Sequence, residues 1–257
     1  MKCCICGTVR NCGKYLDKIF QNMKKIGSLF DDYKIFLYYD ESNDNTLDKL
    51  KKYQEKNSNF FFYQNNFLLE YRTHRIALGR NKCLEFIRKE CNDYEYFIMM
   101  DCDDRCAKDI KIKLLEYYLS RNNWDCLTFD HPDGYYDIWA LSIFPFVMSC
   151  HHFSDPVQGK RKIQKLIKSC PRQSLIKCYS AFNGFGIYRT NKFINCNYDG
   201  TFRLDYIPKD LIEANIIAAG KIVSKQNKQD CEHRFFHFEA IKKNKAKIRI
   251  SPLKIFI

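Results

Sequence analysis

The chain is poor in the residues that interrupt structure and has none of the long runs that cross membranes. Ten glycines and six prolines are scattered over 257 residues, and nowhere do they gather with serine into a linker, which argues against two units on a flexible tether. No fixed period repeats, so a solenoid or propeller is excluded. There is no stretch of about 18 apolar residues and no cationic, apolar, small-residue leader, so neither a membrane span nor a secretory signal is expected. Asn-x-Ser/Thr acceptors are also missing. Neither Gly-x-Gly-x-x-Gly nor Gly-x-x-x-x-Gly-Lys-Ser/Thr occurs, which removes a dinucleotide fingerprint and the simplest kinase or ATPase reading.

Cysteine, by contrast, is plentiful. The fourteen cysteines sit inside apolar segments of a long chain rather than in a small loop-rich one, so a reducing, cytoplasmic setting is expected rather than a disulfide framework. Cys3 and Cys6 have zinc-ribbon spacing, but the second half of a four-ligand site is missing. A hydrophobic share of 46% and an aromatic share of 16% supply enough apolar surface to offset the cost of ordering the backbone.

The formal charge is +13, which attracts phosphorylated small molecules, polyanions and anionic membrane surfaces. Runs such as Lys24-Lys25, Lys160-Arg161-Lys162 and Lys242-Lys243 read as solvated faces, and Lys242 to Arg249 is the best candidate for a basic patch. Most aromatics fall at periodic core positions, so specific nucleic-acid binding is not expected, while peripheral membrane contact stays open.

The order of elements is legible from periodicity. Lys2 to Thr8 reads as a buried strand. Tyr15, Leu16, Ile19, Phe20, Met23 and Ile26 then recur at helical steps. Strands at Tyr33 to Tyr39, Asn59 to Gln64 and Tyr94 to Met100 alternate with helices around Leu47 to Tyr53 and Thr73 to Cys91. A helix through Ile110 to Tyr118 and a strand at Cys126 to Phe129 follow. Such alternation predicts an α/β fold with a mostly parallel, Rossmann-like sheet covered by helices on both faces, and ligands at the carboxyl ends of its strands. From His131 to about Ile187 the pattern is irregular, with a basic helix from Lys160 to Lys168.

The apolar run of the fourth strand stops at Asp101-Cys102-Asp103-Asp104. If the strand continues for two residues, Asp101 and Asp103 point the same way and both can reach one ion. Mg²⁺ or Mn²⁺ takes one or two carboxylates, waters and the phosphate oxygens of a substrate, and such an ion neutralises charge on a departing diphosphate. Asp104 is open between ligand and cap. After the second strand, Asp40 and Glu41 stand where doubly wound sites place an acid against ribose or base, while Asp44 is better explained as a helix cap. Thr8 and Arg10, at the end of the first strand, are candidate nucleotide contacts. Arg80, on the helix leading into the fourth strand, is a candidate for phosphate or sugar hydroxyls, against a surface charge.

These motifs resemble the GT-A glycosyltransferases, with Asp101-Cys102-Asp103 as the Asp-x-Asp element. More narrowly, Glu41-Ser42-Asn43-Asp44-Asn45-Thr46, Arg80-Asn81 and Glu232-His233 resemble elements of the fungal capsule-associated mannosyltransferase family, in the same order. The resemblance implies one catalytic domain over 1–257, with a nucleotide-sugar half at 1–130 and an acceptor half at 131–257. It implies a nucleoside diphosphate sugar donor, a glycan or glycoconjugate acceptor, and Mn²⁺ (or Mg²⁺) held by Asp101, Asp103 and His233. Cys102 and Asn81 join the donor contacts, as do Asn183 and Gly184 in the segment Ser180 to Tyr188, which looks like the glycine-bearing strand beside the donor. Asp210 or Glu213, ahead of an apolar helical face of Ile212, Ile216 and Ile217, is the candidate acceptor base, with capping by Asp210 as the alternative. Glu232 would orient His233 or touch the donor, and Asp137 and Trp139 are plausible sugar contacts. Two other readings of the whole chain stay open, a sugar nucleotidyltransferase and a basic protein that binds single-stranded nucleic acid.

Overall fold

The computed structural model describes residues 1–66, 69–132, 134–171, 174–223 and 228–257. The first half alternates as its periodicity predicts: β1 (Lys2–Val9), α1 (Gly13–Gly27), β2 (Asp32–Tyr39), α2 (Thr46–Lys56), β3 (Phe60–Gln64), α3 (Arg72–Glu90) and β4 (Tyr96–Met100). β1 pairs in parallel with β2 and β4, and β2 with β3. Successive side chains of a strand point to opposite faces. Cys4 and Cys6 therefore join Cys83, Leu84 and Ile87 of α3 in one core, while Cys3 and Ile5 join Leu16, Ile19 and Phe20 of α1 in the other. This puts Cys3 and Cys6 on opposite faces of the sheet, where they cannot share an ion. All fourteen cysteines are among the described residues and are free.

The second half completes the same sheet. α4 (Ile112–Leu119) and β5 (Cys126–Asp130) are followed by α5 (Pro156–Ser169), β6 (Ile176–Cys178), β7 (Phe185–Arg189), the short α6 (Thr190–Phe193), α7 (Lys209–Ala219), α8 (Glu232–Asn244) and β8 (Ile248–Lys254). The order across the eight strands is β3-β2-β1-β4-β7-β5-β8-β6. β7 runs antiparallel between β4 and β5, so those two do not touch, whereas β5 and β8 pair in parallel. The mostly parallel α/β fold expected from the sequence is the fold observed.

Three local readings change. Cys231 to His237, which periodicity assigns to no element, is the entry to α8, a helix buried almost all round through His233, Arg234, Phe236, His237, Phe238 and Ala240; a helix buried on every side, with polar residues among the apolar ones, leaves no periodicity to read. The run from Lys242 to Arg249 is not one element: it crosses the left-handed Lys245 at the end of α8 and enters β8, with Arg249 paired to β5 and β6 and Lys242, Lys243, Lys245 and Lys247 exposed. The face of Ile212, Ile216 and Ile217 turns to the core only in part: Ile212 packs against it, whereas Ile217 is 87% exposed, and the residues α7 buries are Leu211 and Asn215. Among the described residues, no helix is long and apolar enough to cross a membrane.

Candidate active site

A cleft of about 530 Å³ opens at the carboxyl ends of β1, β2 and β4, walled by α3 and the first turn of α8. Asp101 is the first residue past β4, and its N–H donates to the Gly184 carbonyl at 2.8 Å. The strand does not continue to Asp103 as the sequence reading supposed: β4 ends at Met100 and Asp103 lies in a turn, where its Oδ1 accepts the Arg105 N–H at 3.0 Å. Both carboxylates nevertheless line the cleft, whereas Asp104 is exposed outside it. Burial and the neighbouring Asp103 push the Asp101 carboxyl up to about 8, against the pull of Arg80. Asp103 is also shifted up, chiefly by burial, and so is Asp137, by burial and, more weakly, Glu232. The cleft is thus short of positive charge at its floor.

One cation is built in there. Arg80 is 4% exposed; it donates from Nη1 to Glu232 Oε1 at 2.6 Å and from Nη2 to Asp101 Oδ1 at 3.2 Å, with its guanidinium 4.4 Å from the Phe182 ring centroid. Burial lowers its pKa, but Glu232 and Asp101 more than offset that, so the net shift is upward. With both terminal nitrogens committed to carboxylates, Arg80 positions Asp101 and Glu232. Asn81 faces away and clamps Tyr198, donating to its carbonyl at 2.9 Å and accepting its N–H at 2.8 Å.

Around the rim, Thr8 at the end of β1, Arg10 just past it and Asp40 just past β2 line the cleft. Asp40 accepts from Asn65 Nδ2 at 3.1 Å and lies 3.7 Å from Arg75 Nε and 4.0 Å from Arg10 Nη1. Glu41 is not among the lining residues; its carbonyl accepts Arg10 Nε at 3.2 Å. Asp44 ties two helix starts together, accepting the Gly13 N–H of α1 at 2.9 Å and the Thr46 N–H of α2 at 3.0 Å. Asp44→Ala is accordingly expected to cost about 1 kcal/mol, the usual worth of a lost cap, seen as a lower urea midpoint at unchanged slope. Nucleotide affinity should stay near wild type; a large loss of affinity with intact stability would make Asp44 a ligand contact instead.

The wall opposite is held from behind. Asn183, at φ 58°, accepts the N–H groups of Tyr136 and Asp137 at 3.0 and 3.2 Å and donates to the Phe129 carbonyl at 2.8 Å. It shapes the cleft through Tyr136 and Asp137 without lining it. Gly184, at φ 84°, has no room for a side chain: a Cβ would fall 2.5 Å from Tyr136 Oη. Cys102 lines the cleft but is 2% exposed. Farther back, Arg234 is fully buried, bonded to Asp230 at 2.9 Å and to the carbonyls of Trp139, Leu141 and Val147.

His233 lines the cleft from α8, yet it is 1% exposed and stacked on Phe182 at 3.9 Å, with neither ring nitrogen hydrogen-bonded. Burial, then Arg80 and His237, hold it well below its usual pKa, so the imidazole is neutral. Among the described residues no three His, Cys, Asp or Glu side chains are grouped to hold a metal, so His233 is not brought into one ligand set with Asp101 and Asp103. Two oxygen ligands with substrate phosphates and water still suit Mg²⁺ or Mn²⁺, and the upward shift of Asp101 marks a floor that a cation would relieve. Asp210 and Glu213 are exposed on α7 and do not line the cleft.

The sequence reading missed Arg72, Arg75, Arg105 and Tyr136, all of which line the cleft. Arg72, Ile76 and Arg80 recur every four residues on one face of α3, a signal that could have been found. Arg105 stacks on Tyr136 at 4.4 Å, a contact between separate loops that no local pattern announces.

A cleft of acids and arginines at the carboxyl ends of parallel strands, with an antiparallel β7 crossing behind it, defines an α/β unit of the GT-A type. Residues 4–189 match the family described as Glycosyl transferase family 2, and the chain belongs to that family. No curated protein matches it by sequence. Among solved structures, TarS 1-349 of S. aureus is similar at 16% identity and a TM-score of 0.52, covering 100% of this chain and 59% of that one. The TarS 1-349 complex with UDP-GlcNAc aligns at 16% identity and a TM-score of 0.50, covering 100% and 57%. GalNAc-T7 with UDP, GalNAc and Mn2+ aligns at 11% and 0.50, covering 98% and 42%. These likenesses show a common fold, and the chain spans less than three fifths of each of those chains.

Proposed function

We propose that the chain is a catalytic domain that transfers a hexose from a nucleoside diphosphate sugar to a hydroxyl of a glycan or other acceptor, with Asp101 and Asp103 holding Mn²⁺ or Mg²⁺. The observation that carries this reading is the placement of both carboxylates on the floor of a cleft whose rim bears Arg10, Arg72, Arg75 and Arg105. Arginines at a rim match a diphosphate through fork-shaped donors, and a floor of ionisable acids has little use for an anion unless a cation comes with it. When bound, the cation would neutralise the departing diphosphate. Asp40, steadied by Asn65 and Arg75, faces the nucleoside. Asp137 is a carboxylate inside the cleft that is shifted up by burial, with Arg80 only a weaker opposing pull, which suits it, rather than Asp210 or Glu213, to receive an acceptor proton.

The bound UDP and UDP-GlcNAc of the TarS structures and the Mn2+ of GalNAc-T7 support UDP-sugars and Mn²⁺ as the first donors and metal to test. The narrower likeness to capsule-associated mannosyltransferases draws support from the meeting of two of its elements, Arg80 of Arg-Asn and Glu232 of Glu-His, in one ion pair; GDP-mannose belongs in the same panel. Calorimetric titration of UDP, GDP and their sugars with Mn²⁺, followed by donor turnover, is expected to show metal-dependent binding and release of nucleoside diphosphate. Pyrophosphate as product would instead indicate a nucleotidyltransferase, and no binding across the panel would sink both.

A further inference from the structure

Nine large hydrophobic side chains among the described residues are exposed, and four of them, Phe144, Val157, Ile216 and Ile217, come from three elements that pack together. Phe144 tips a tight turn in which the Ile143 N–H donates to the Phe146 carbonyl at 2.8 Å. That turn is fastened to α7, because Asn215 Oδ1 accepts the N–H groups of Val147 and Met148 at 2.9 and 3.1 Å. α5 is fastened to α7 as well, through Lys162 Nζ on the Ala218 carbonyl at 3.2 Å. Between the Phe144 turn and the end of α5 runs an open apolar groove of about 390 Å³, lined by Phe144, Leu166, Pro171 and Leu175.

The same face is strongly basic. α5 buries Gly159 and Ile163 and presents Val157, Arg161, Lys165 and Lys168 at steps of four, four and three residues, which is one outward stripe. With Lys160 and Lys162 it exposes five cations, against Asp155 at its start and Asp210 and Glu213 on α7. Exposed apolar side chains interspersed with lysines and arginines suit the headgroup layer of an anionic leaflet: cations meet lipid phosphates while the apolar groups enter the acyl boundary. A protein partner's core would instead favour a patch depleted of lysine. We infer that the face formed by α5, the Phe144 turn and α7 docks on an anionic phospholipid surface. The inference stands apart from the transfer reaction, and its test uses neither donor nor turnover.

The test is flotation of the purified chain with vesicles of phosphatidylcholine alone and with about one third phosphatidylserine, the range that gives a biological surface potential. Binding should require phosphatidylserine and weaken with salt. Arg161→Glu/Lys165→Glu/Lys168→Glu should lower the partition coefficient by at least about a hundredfold. Phe144→Ser/Ile217→Ser should lower it about tenfold with the salt dependence kept. Lys24→Glu/Lys25→Glu, a pair on the exposed end of α1, should change it far less. Equal binding to neutral vesicles, no binding to anionic ones, or an equal loss in the α1 variant would overturn the inference. So would self-association in sedimentation velocity that the Phe144/Ile217 variant abolishes, since the face would then belong to a second copy.

Discussion

Asp101→Asn is expected to reduce donor turnover by about 10³-fold, the scale on which removing a group that stabilises developing charge acts, with release of nucleoside diphosphate as the readout. The variant keeps an oxygen of the same shape for Arg80 Nη2, now 3.2 Å away, so the ion pair with Glu232 and the fold should persist. What it loses is the charge that a cation would need. The stability effect should have the opposite sign: Asp101 stands among Asp103, Asp137 and Glu232, all of which disfavour its ionised form, so a neutral amide relieves repulsion and thermal stability should hold or rise. Lower activity with unchanged or higher stability is a pattern expected of a functional site that is costly to the fold. Asp103→Asn should raise the Mn²⁺ concentration needed and be milder, because one of its oxygens already accepts the Arg105 N–H. Wild-type turnover by Asp101→Asn across all Mn²⁺ concentrations would refute the assignment.

The first half of the fold was legible because its local signals agree with each other. β1, β2 and β4 are continuous apolar runs that stop abruptly, and α1 carries a clean stripe of Leu16, Ile19, Phe20, Met23 and Ile26 that is buried as read. The second half hides its elements. β8 alternates Ile248 and Ile250 with cations of the run Lys245 to Arg249, so charge content masked a period of two. α7 shows its isoleucines in the sequence, yet of these Ile212 packs on the core while Ile216 and Ile217 are exposed, and the helix is seated by Leu211 and Asn215, whose amide oxygen accepts the N–H groups of Val147 and Met148. The site divides along the same line. Asp101 and Asp103 were legible from the end of a strand, although the turn at Asp103 was not. Asp210 and Glu213 follow the pattern of acids at a helix start, and only tertiary placement reveals that this helix lies away from the cleft. Arg80 was read as a ligand contact because its partner Glu232 is 152 residues away, a separation over which no spacing rule operates.

That pair carries the largest stability effect expected of a single change. Arg80 and Glu232 are each about 5% exposed at the side chain and 2.6 Å apart, so solvent screens the interaction little. Removing one partner of a buried pair typically costs about 3–5 kcal/mol, because the remaining charge is left without compensation. Arg80→Met should therefore destabilise by about that much, as a lower urea midpoint and a lower melting temperature. Arg80→Lys should fall between, since a single ammonium cannot bridge Glu232 and Asp101 as the guanidinium does. The informative comparison is the double variant. If the cost comes from the orphaned carboxylate, Arg80→Met/Glu232→Gln should regain part of the stability lost in Arg80→Met, giving a coupling of about 1–3 kcal/mol. If the cost comes instead from lost packing of the guanidinium on Phe182, 4.4 Å away, the double variant should be no more stable than the single one. Turnover separates the two further. Asp101 loses its anchor in both variants, so both should stay poorly active, and recovery of stability without recovery of activity would establish Arg80 as the residue that positions the Asp101 carboxylate.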